Sequence, residues 1–227
     1  MRTAETKPYP LACMEVWGGN REVAVPVELP GLAAWVYSKP LEAGSGGGDV
    51  HYLSVCNAGI LSRVALADVS GHGQAVNSLA EKLRALMHKH INIWDQSAFM
   101  RELDQAFPQV TKLGDYATAV VFGFHRQSGQ LVFTNAGHLP PLWYHAADKK
   151  WDLLEENMPE AQTEVAGLPL GLIPGTNYEQ TVVELAPGDV LLLYTDGLTE
   201  TENQAGEELG REGLLELARS LPLDSPA

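Results

Sequence analysis

The chain has 227 residues, 45% of them hydrophobic, and a formal net charge of -14 from 15 Lys and Arg against 29 Asp and Glu. That length gives one large domain or two small ones, with a full core and no need of disulfides or a structural metal. The acidic surplus argues against general nucleic-acid binding, which neutralises phosphates with Lys and Arg, and against docking on anionic membrane.

Residues 1–22 read as an irregular segment, with Pro8, Pro10, Gly18 and Gly19. They contain no apolar run of a signal peptide. Val23 to Leu29 alternates apart from Pro26, which allows an edge strand at best. Leu32 to Lys39 reads as a second strand. The run from Glu42 to Asp49 is glycine-rich, either a flexible linker or a tight functional loop. Val50 to Cys56 and Arg63 to Ala67 are strands around an Asn57-Ala58-Gly59 turn, which predicts a hairpin.

Val76, Leu79, Ala80, Leu83, Leu86, Met87 and Ile91 recur at helical spacing. The opposite face carries Gln74, Asn77, Glu81, Lys82 and Lys89. A second helix starts at Asp95, an N-cap, and runs to Phe107, where Pro108 is expected to stop it. Further strands are Tyr116–Phe124, Leu131–Thr134, Leu142–Tyr144, Trp151–Leu154, Tyr178–Leu185 and Val190–Tyr194. Residues 155–177 form a long loop, and a last helix covers Arg211 to Ser220. Strands and helices are segregated and the connections suit hairpins, which predicts an α+β fold with antiparallel sheets in a single domain, 1–227. The strongest apolar run, Val190 to Tyr194, is too short to span a bilayer. Cys13 and Cys56 are expected to be small buried hydrophobes in a reducing compartment. The chain reads as soluble and cytoplasmic.

Three aspartates stand at predicted strand ends beside small residues. Asp68 lies in Ala67-Asp68-Val69-Ser70-Gly71-His72-Gly73, between a strand and the first helix. Asp196 lies in Tyr194-Thr195-Asp196-Gly197-Leu198-Thr199-Glu200, and Asp49 follows Gly47-Gly48. Each has a plain alternative: a helix-capping Asp68 or Ser70, a turn aspartate before glycine, a flexible loop. Together they suit hard divalent cations, which take carboxylate, carbonyl and water oxygens. Two such ions can bridge a water and hold a phosphoryl group. No phosphate-binding P-loop, G-x-S-x-G elbow, C-x-x-C or H-E-x-x-H pattern is present. His88 and His90 read as surface residues. His72 and His138 lie in glycine-rich loops, where each serves either a substrate or the loop itself.

In order along the chain, six segments resemble the SpoIIE-type branch of the PPM family of metal-dependent protein Ser/Thr phosphatases. They are Gly47-Gly48-Asp49, Asp68 to Gly73, Tyr116-Ala117-Thr118-Ala119, Asn135-Ala136-Gly137-His138, Gly167-Leu168-Pro169-Leu170-Gly171 and Tyr194 to Glu200. The resemblance covers roughly residues 35–220. It implies a four-layer α-β-β-α sandwich, two antiparallel sheets flanked by helices, with a metal site at one end. It implies two manganese or magnesium ions held by Asp49, Asp68, the Val69 carbonyl and Asp196, with Asp68 and Asp196 catalytic. Ser70, His72 and His138 would position the substrate. A metal-activated water would hydrolyse phosphoserine or phosphothreonine, without a covalent phospho-enzyme, on a phosphorylated bacterial signalling protein such as an anti-sigma-factor antagonist. Two departures stand out. Val50-His51-Tyr52 follows Gly-Gly-Asp where the family has aromatic residues and a second aspartate. The family's final strand with Asp-Asp-x-Thr-Leu is not matched by Leu221 to Ala227, where Asp224 is the sole carboxylate. The last strand is therefore expected to be missing, and a second reading follows: a catalytically impaired phosphatase fold that binds and regulates a partner.

Overall fold

Four strands open the computed structural model, which describes residues 7–13, 15–40, 46–56, 59–71, 74–154, 167–221 and 223. They are β1 (Tyr9–Pro10), β2 (Val16–Gly19), β3 (Val23–Leu29) and β4 (Leu32–Ser38). The N-terminal segment is thus not irregular throughout. β2 pairs antiparallel with β5 (Asp49–Cys56), Val16 facing Ser54 and Gly19 facing His51. Only glycine fits at position 18, because a Cβ there would lie 2.2 Å from the His51 carbonyl oxygen. The sequence hides this strand because a Gly-Gly pair ordinarily marks a break.

Pro26 lies in the middle strand of a small sheet, β1-β3-β4, rather than in an edge strand. The physical reason for avoiding proline still holds locally. The two-residue β1 pairs only with Val27 and Glu28, so the β3 edge is unpaired by β1 at Pro26.

The hairpin of β5 and β6 (Leu61–Val69) forms as two strands around a turn predict, with Cys56 facing Leu61. Two helices follow, α1 (Gln74–Lys89) and α2 (Gln96–Val110). Asp95 caps α2, its carboxylate accepting from the Ala98 N–H at 2.6 Å. Pro108 does not stop α2. It sits in the last turn, two residues from the end of α2, so its ring forgoes its own bond to the Asp104 carbonyl but no further turn is disrupted, and its fixed φ is helical. The buried Phe107 and the Thr111 hydroxyl, which donates to the Phe107 carbonyl at 2.9 Å, hold that turn.

The chain then makes β7 (Ala117–His125), β8 (Gln130–Ala136), β9 (Leu142–His145), β10 (Lys150–Leu153), β11 (Thr181–Glu184) and β12 (Val190–Leu192), with α3 (Asp196–Thr199) and α4 (Gly210–Ser220) last. The fold is α+β. Antiparallel pairing dominates, as expected, but the described strands divide into three sheets rather than two, and β1–β3 is a short parallel pair.

The chain divides into two compact units. The first, Met1–His138 with Glu160–Val183, is built on a six-stranded sheet ordered β11-β8-β7-β6-β5-β2. One face presents Val50, Tyr52, Ala65, Ala67, Ala117, Ala119 and Val121 to the apolar stripes of α1 and α2, including Leu83, Met87, Phe99, Leu103 and Phe107. The other face presents Leu53 and Val55 to Val25, Val27 and Leu29 of β3 and to Ala34 and Val36 of β4. Within this unit the order is small sheet, large sheet, helices. In the second unit, β10, β9 and β12 form a three-stranded sheet, and α4 buries Leu214 and Ala218 in a cluster with Leu142, Trp151 and Tyr194.

Three smaller expectations change. Cys56 is buried, but Cys13 is exposed. His90 is largely shielded, with its ring 3.9 Å from the Glu102 carboxylate, rather than a surface residue. Asn77, on the polar face of α1, accepts from the buried Asn20 at 2.7 Å. Among the described residues no helix is long and apolar enough to cross a membrane.

Candidate metal and phosphate site

The β5–β6 register brings two of the predicted aspartates together. Asp49 opens β5, Asp68 is the penultimate residue of β6, and the two face each other directly across the hairpin. Such pairs hold their Cβ atoms about 5 Å apart. The equal count of residues from the turn to each aspartate could have revealed this pairing. Alternation places both side chains on the sheet face opposite α1 and α2, because Val50, Ala67 and Val69 face the helices.

Gly48 leaves room beside them. A Cβ at this position would meet the Asp68 Oδ1 at 3.0 Å, the Val69 carbonyl oxygen at 3.3 Å and the Val76 Cγ1 at 2.9 Å. A carboxylate and a carbonyl oxygen therefore converge on one small space. Both are hard donors of the kind magnesium and manganese take. Residues 42–45 of the glycine-rich run lie outside the described residues, and the part next to Asp49 is held by hydrogen bonds. The Gly47 N–H donates to the Asn20 carbonyl at 2.8 Å, and the Asn20 amide donates back to the Gly47 carbonyl at 3.1 Å. Asn20 is a positioning residue the sequence did not reveal, since it falls in the segment read as irregular.

The row continues across the sheet. Asp68 faces Thr118 of β7, and the Thr118 hydroxyl pairs with His138 Nδ1 at 2.8 Å. His138 is buried, its N–H donating to the Asn135 side-chain oxygen at 2.7 Å while the Asn135 amide donates to the His138 carbonyl at 2.9 Å. Ser70 joins the ends of the two strands. Its N–H donates to the Tyr116 carbonyl at 2.9 Å, and its hydroxyl oxygen accepts from the Tyr116 N–H at 3.0 Å.

The Gly167–Gly171 segment serves as a brace. Leu170 and Ala117 exchange backbone hydrogen bonds, and the Gly171 N–H donates to the buried Asp104 carboxylate at 2.9 Å. The Tyr178 hydroxyl donates to the Leu168 carbonyl at 3.1 Å, and burial, reinforced by Asp104, pushes its pKa up. Asp104 went unnoticed in the sequence because an acidic residue on a helix ordinarily faces water.

His51, on the same sheet face as Asp49 and two residues along, stacks near Trp17 with ring centroids 5.4 Å apart. Burial, aided by the Arg84 guanidinium, pulls its pKa down to about 4. It is neutral at physiological pH and brings no cation to the aspartates.

Asp196 belongs to the second unit. It is exposed and opens the short helix α3 rather than a simple turn, its carbonyl accepting from the Glu200 N–H at 2.7 Å. His72 and Asp224 lie outside the described residues. Among the described residues no group of three or more His, Cys, Asp or Glu side chains gathers as a metal cluster. The first unit thus unites Asp49, Asp68, Val69, Ser70 and His138 at one end of its sheet.

The chain has relatives among known proteins and solved structures. Residues 61–227 match the family model of Stage II sporulation protein E (SpoIIE). Phosphoserine phosphatase RsbU of Bacillus subtilis is 25% identical over 148 residues, which are 63% of this chain and 40% of that protein. The chain therefore spans less than half the length of this relative. The structure of the RsbU and RsbW domains of Rv1364c from Mycobacterium tuberculosis superposes with a TM-score of 0.65 and 26% identity, over 79% of this chain and 47% of that one. The fold is also shared by RsbX in complex with magnesium, with a TM-score of 0.61 and 16% identity over 87% of this chain and 91% of that one.

Proposed function

The chain belongs to the SpoIIE family, and on that premise we propose that it is a metal-dependent phosphoprotein phosphatase. Its substrate in this reading is phosphoserine or phosphothreonine on a cytoplasmic bacterial signalling protein of the anti-sigma-factor-antagonist type. Residues 1–227 act as one phosphatase domain.

The observation that carries the reading is the Asp49–Asp68 pair beside Gly48, with the Val69 carbonyl directed at the same space. Like charges directly opposite on a hairpin repel, and a cation between them removes that cost. Asp49, Asp68 and the Val69 carbonyl would hold divalent magnesium or manganese, and Asp196 enters through its motif alone. When bound, such ions supply the positive charge that a phosphate needs and activate a water to attack phosphorus.

The chain's own residues provide the frame. Strand ends fix the carboxylates more rigidly than a loop could. The Thr118–His138 bond sets the imidazole orientation at the same end of the sheet, where it can orient a phosphoryl oxygen or carry a proton to the departing serine or threonine oxygen. Ser70 keeps the ends of β6 and β7 together, and its hydroxyl proton remains available to a substrate oxygen. His72, in the same motif as Asp68, completes the substrate-positioning set.

The test is manganese-dependent hydrolysis of p-nitrophenyl phosphate and of a phosphoserine peptide. Asp68→Ala is expected to lower turnover by roughly a thousandfold, the scale of losing a group that stabilises transition-state charge. Absence of turnover on either substrate at saturating manganese would contradict the reading.

A further inference from the structure

Two abutting loops beside the aspartate row carry exposed apolar side chains. The first joins α2 to β7. The Lys112 N–H donates to the Asp115 carboxylate at 2.7 Å, and the Asp115 N–H donates to the Lys112 carbonyl at 3.1 Å. This closed turn holds Leu113 wholly in solvent, with Tyr116 partly exposed just beyond it. Tyr116 is the residue whose backbone clamps Ser70, two positions from Asp68.

The second loop leaves the Leu170–Ala117 bridge. A Cβ on Gly171 would lie 3.4 Å from the Asp115 carbonyl, so the two loops touch. Leu172 and Ile173 come next and are exposed. They too are fixed, the Leu172 N–H donating to the Pro169 carbonyl at 3.2 Å and the Thr176 hydroxyl to the Ile173 carbonyl at 2.7 Å.

Single exposed leucines are ordinary. Large apolar side chains held on neighbouring hydrogen-bonded turns next to one site mark a contact surface. We propose that Leu113, Tyr116, Leu172 and Ile173 form a docking rim for the phosphoprotein substrate, gripping apolar side chains that flank the phosphorylated residue. The proposal rests on the phosphatase reading above. Two observations select this occupant. The rim is continuous with the aspartate row, since Tyr116 bonds to Ser70 and Ala117 faces Val69. A chain of net charge -14 also offers an anionic phosphoprotein no overall attraction, so apolar burial is the source of affinity that the rim supplies.

The experiment uses the full chain and two synthetic phosphoserine peptides, one with Leu, Ile and Val around the phosphoserine and one with Gly, Ser and Gln. The wild type is expected to favour the apolar peptide by about tenfold in kcat/KM. In the double variant Leu113→Ser/Leu172→Ser that preference falls below about twofold, through KM, while p-nitrophenyl phosphate turnover stays within about twofold of wild type. Equal use of both peptides by the wild type overturns the rim, as does a variant that keeps the preference. So does a parallel loss of p-nitrophenyl phosphate turnover, or a wild-type dimer that the variant dissolves in sedimentation, which would assign the patch to a second copy. Fluorescence anisotropy with the same labelled peptides reads the preference without turnover. A chain that binds the apolar peptide preferentially yet hydrolyses nothing supports the rim and refutes the phosphatase reading alone.

Discussion

Strand β6 carries Arg63 near one end and Asp68 at the other, on opposite faces of the six-stranded sheet. Arg63 is fully buried, and its guanidinium donates to the Gln96 side chain at 3.0 Å, to the Ile91 carbonyl at 2.9 Å and to the Ile93 carbonyl. It also lies 4.6 Å from the Phe99 ring centroid. Burial lowers its pKa, yet oxygen acceptors from the α1–α2 connection surround it. Asp68 instead faces a second carboxylate, its Oδ1 and the Val69 carbonyl oxygen closing on the side of Gly48 where a Cβ would stand. One charge is matched by the chain itself, which makes it structural. The other faces a like charge across the hairpin, which is the feature on which the proposed cation site rests.

The comparison can be broken from either side. Asp68→Ala carries the largest expected effect, the thousandfold loss of phosphatase turnover with the folded state retained, read by p-nitrophenyl phosphate kinetics and circular dichroism together. Arg63→Met comes next. It strands two backbone carbonyls and the Gln96 side chain in the core, and should cost about 3 kcal/mol of stability in urea denaturation. Metal affinity in the folded fraction should be unchanged.

His51 sharpens the contrast through pH. Its folded pKa of about 4 lies below the ordinary histidine value, so the unfolded chain binds a proton that the folded chain refuses. The resulting stability is intact above about pH 6.5 and is lost as pH falls toward 4, amounting to about 2 kcal/mol at pH 5. His51→Leu should flatten that part of the metal-free stability profile. The smallest effect is expected from Thr118→Val, which removes one hydrogen bond to His138. It should cost about 1 kcal/mol in thermal unfolding, with a lower kcat and nearly unchanged KM.

Local chemistry made much of the first unit legible. Alternation gave β3, the intervening turn gave the β5–β6 hairpin, helical spacing gave α1, and the Asp95 cap fixed the start of α2. Pro108 misled because a proline in a last turn and one that ends a helix look alike in sequence. β2 was hidden by its glycines, whose role depends on the neighbouring β5 backbone. The individual aspartates were legible as strand-end carboxylates, and symmetry about the turn held the register that pairs Asp49 with Asp68. The Asn20 clamp, the Thr118–His138 bond and the Asp104 brace were not legible. Each joins residues at least 20 positions apart, and such contacts exist only once the sheet has formed. Asp196 stays a motif residue, while Ser70 gains a structural partner in Tyr116 that its motif did not announce.

The central claim is that the Asp49–Asp68 end of the sheet receives divalent cations. Thermal unfolding with and without manganese tests it most directly, because it needs no substrate. A ligand that binds only the folded state stabilises it by mass action. The account predicts that manganese at a hundredfold excess over its Kd raises the stability of the wild type by about 2.7 kcal/mol, and that Asp68→Asn abolishes the rise. A wild type indifferent to manganese and magnesium, or an Asp68→Asn variant stabilised as strongly as the wild type, would contradict it.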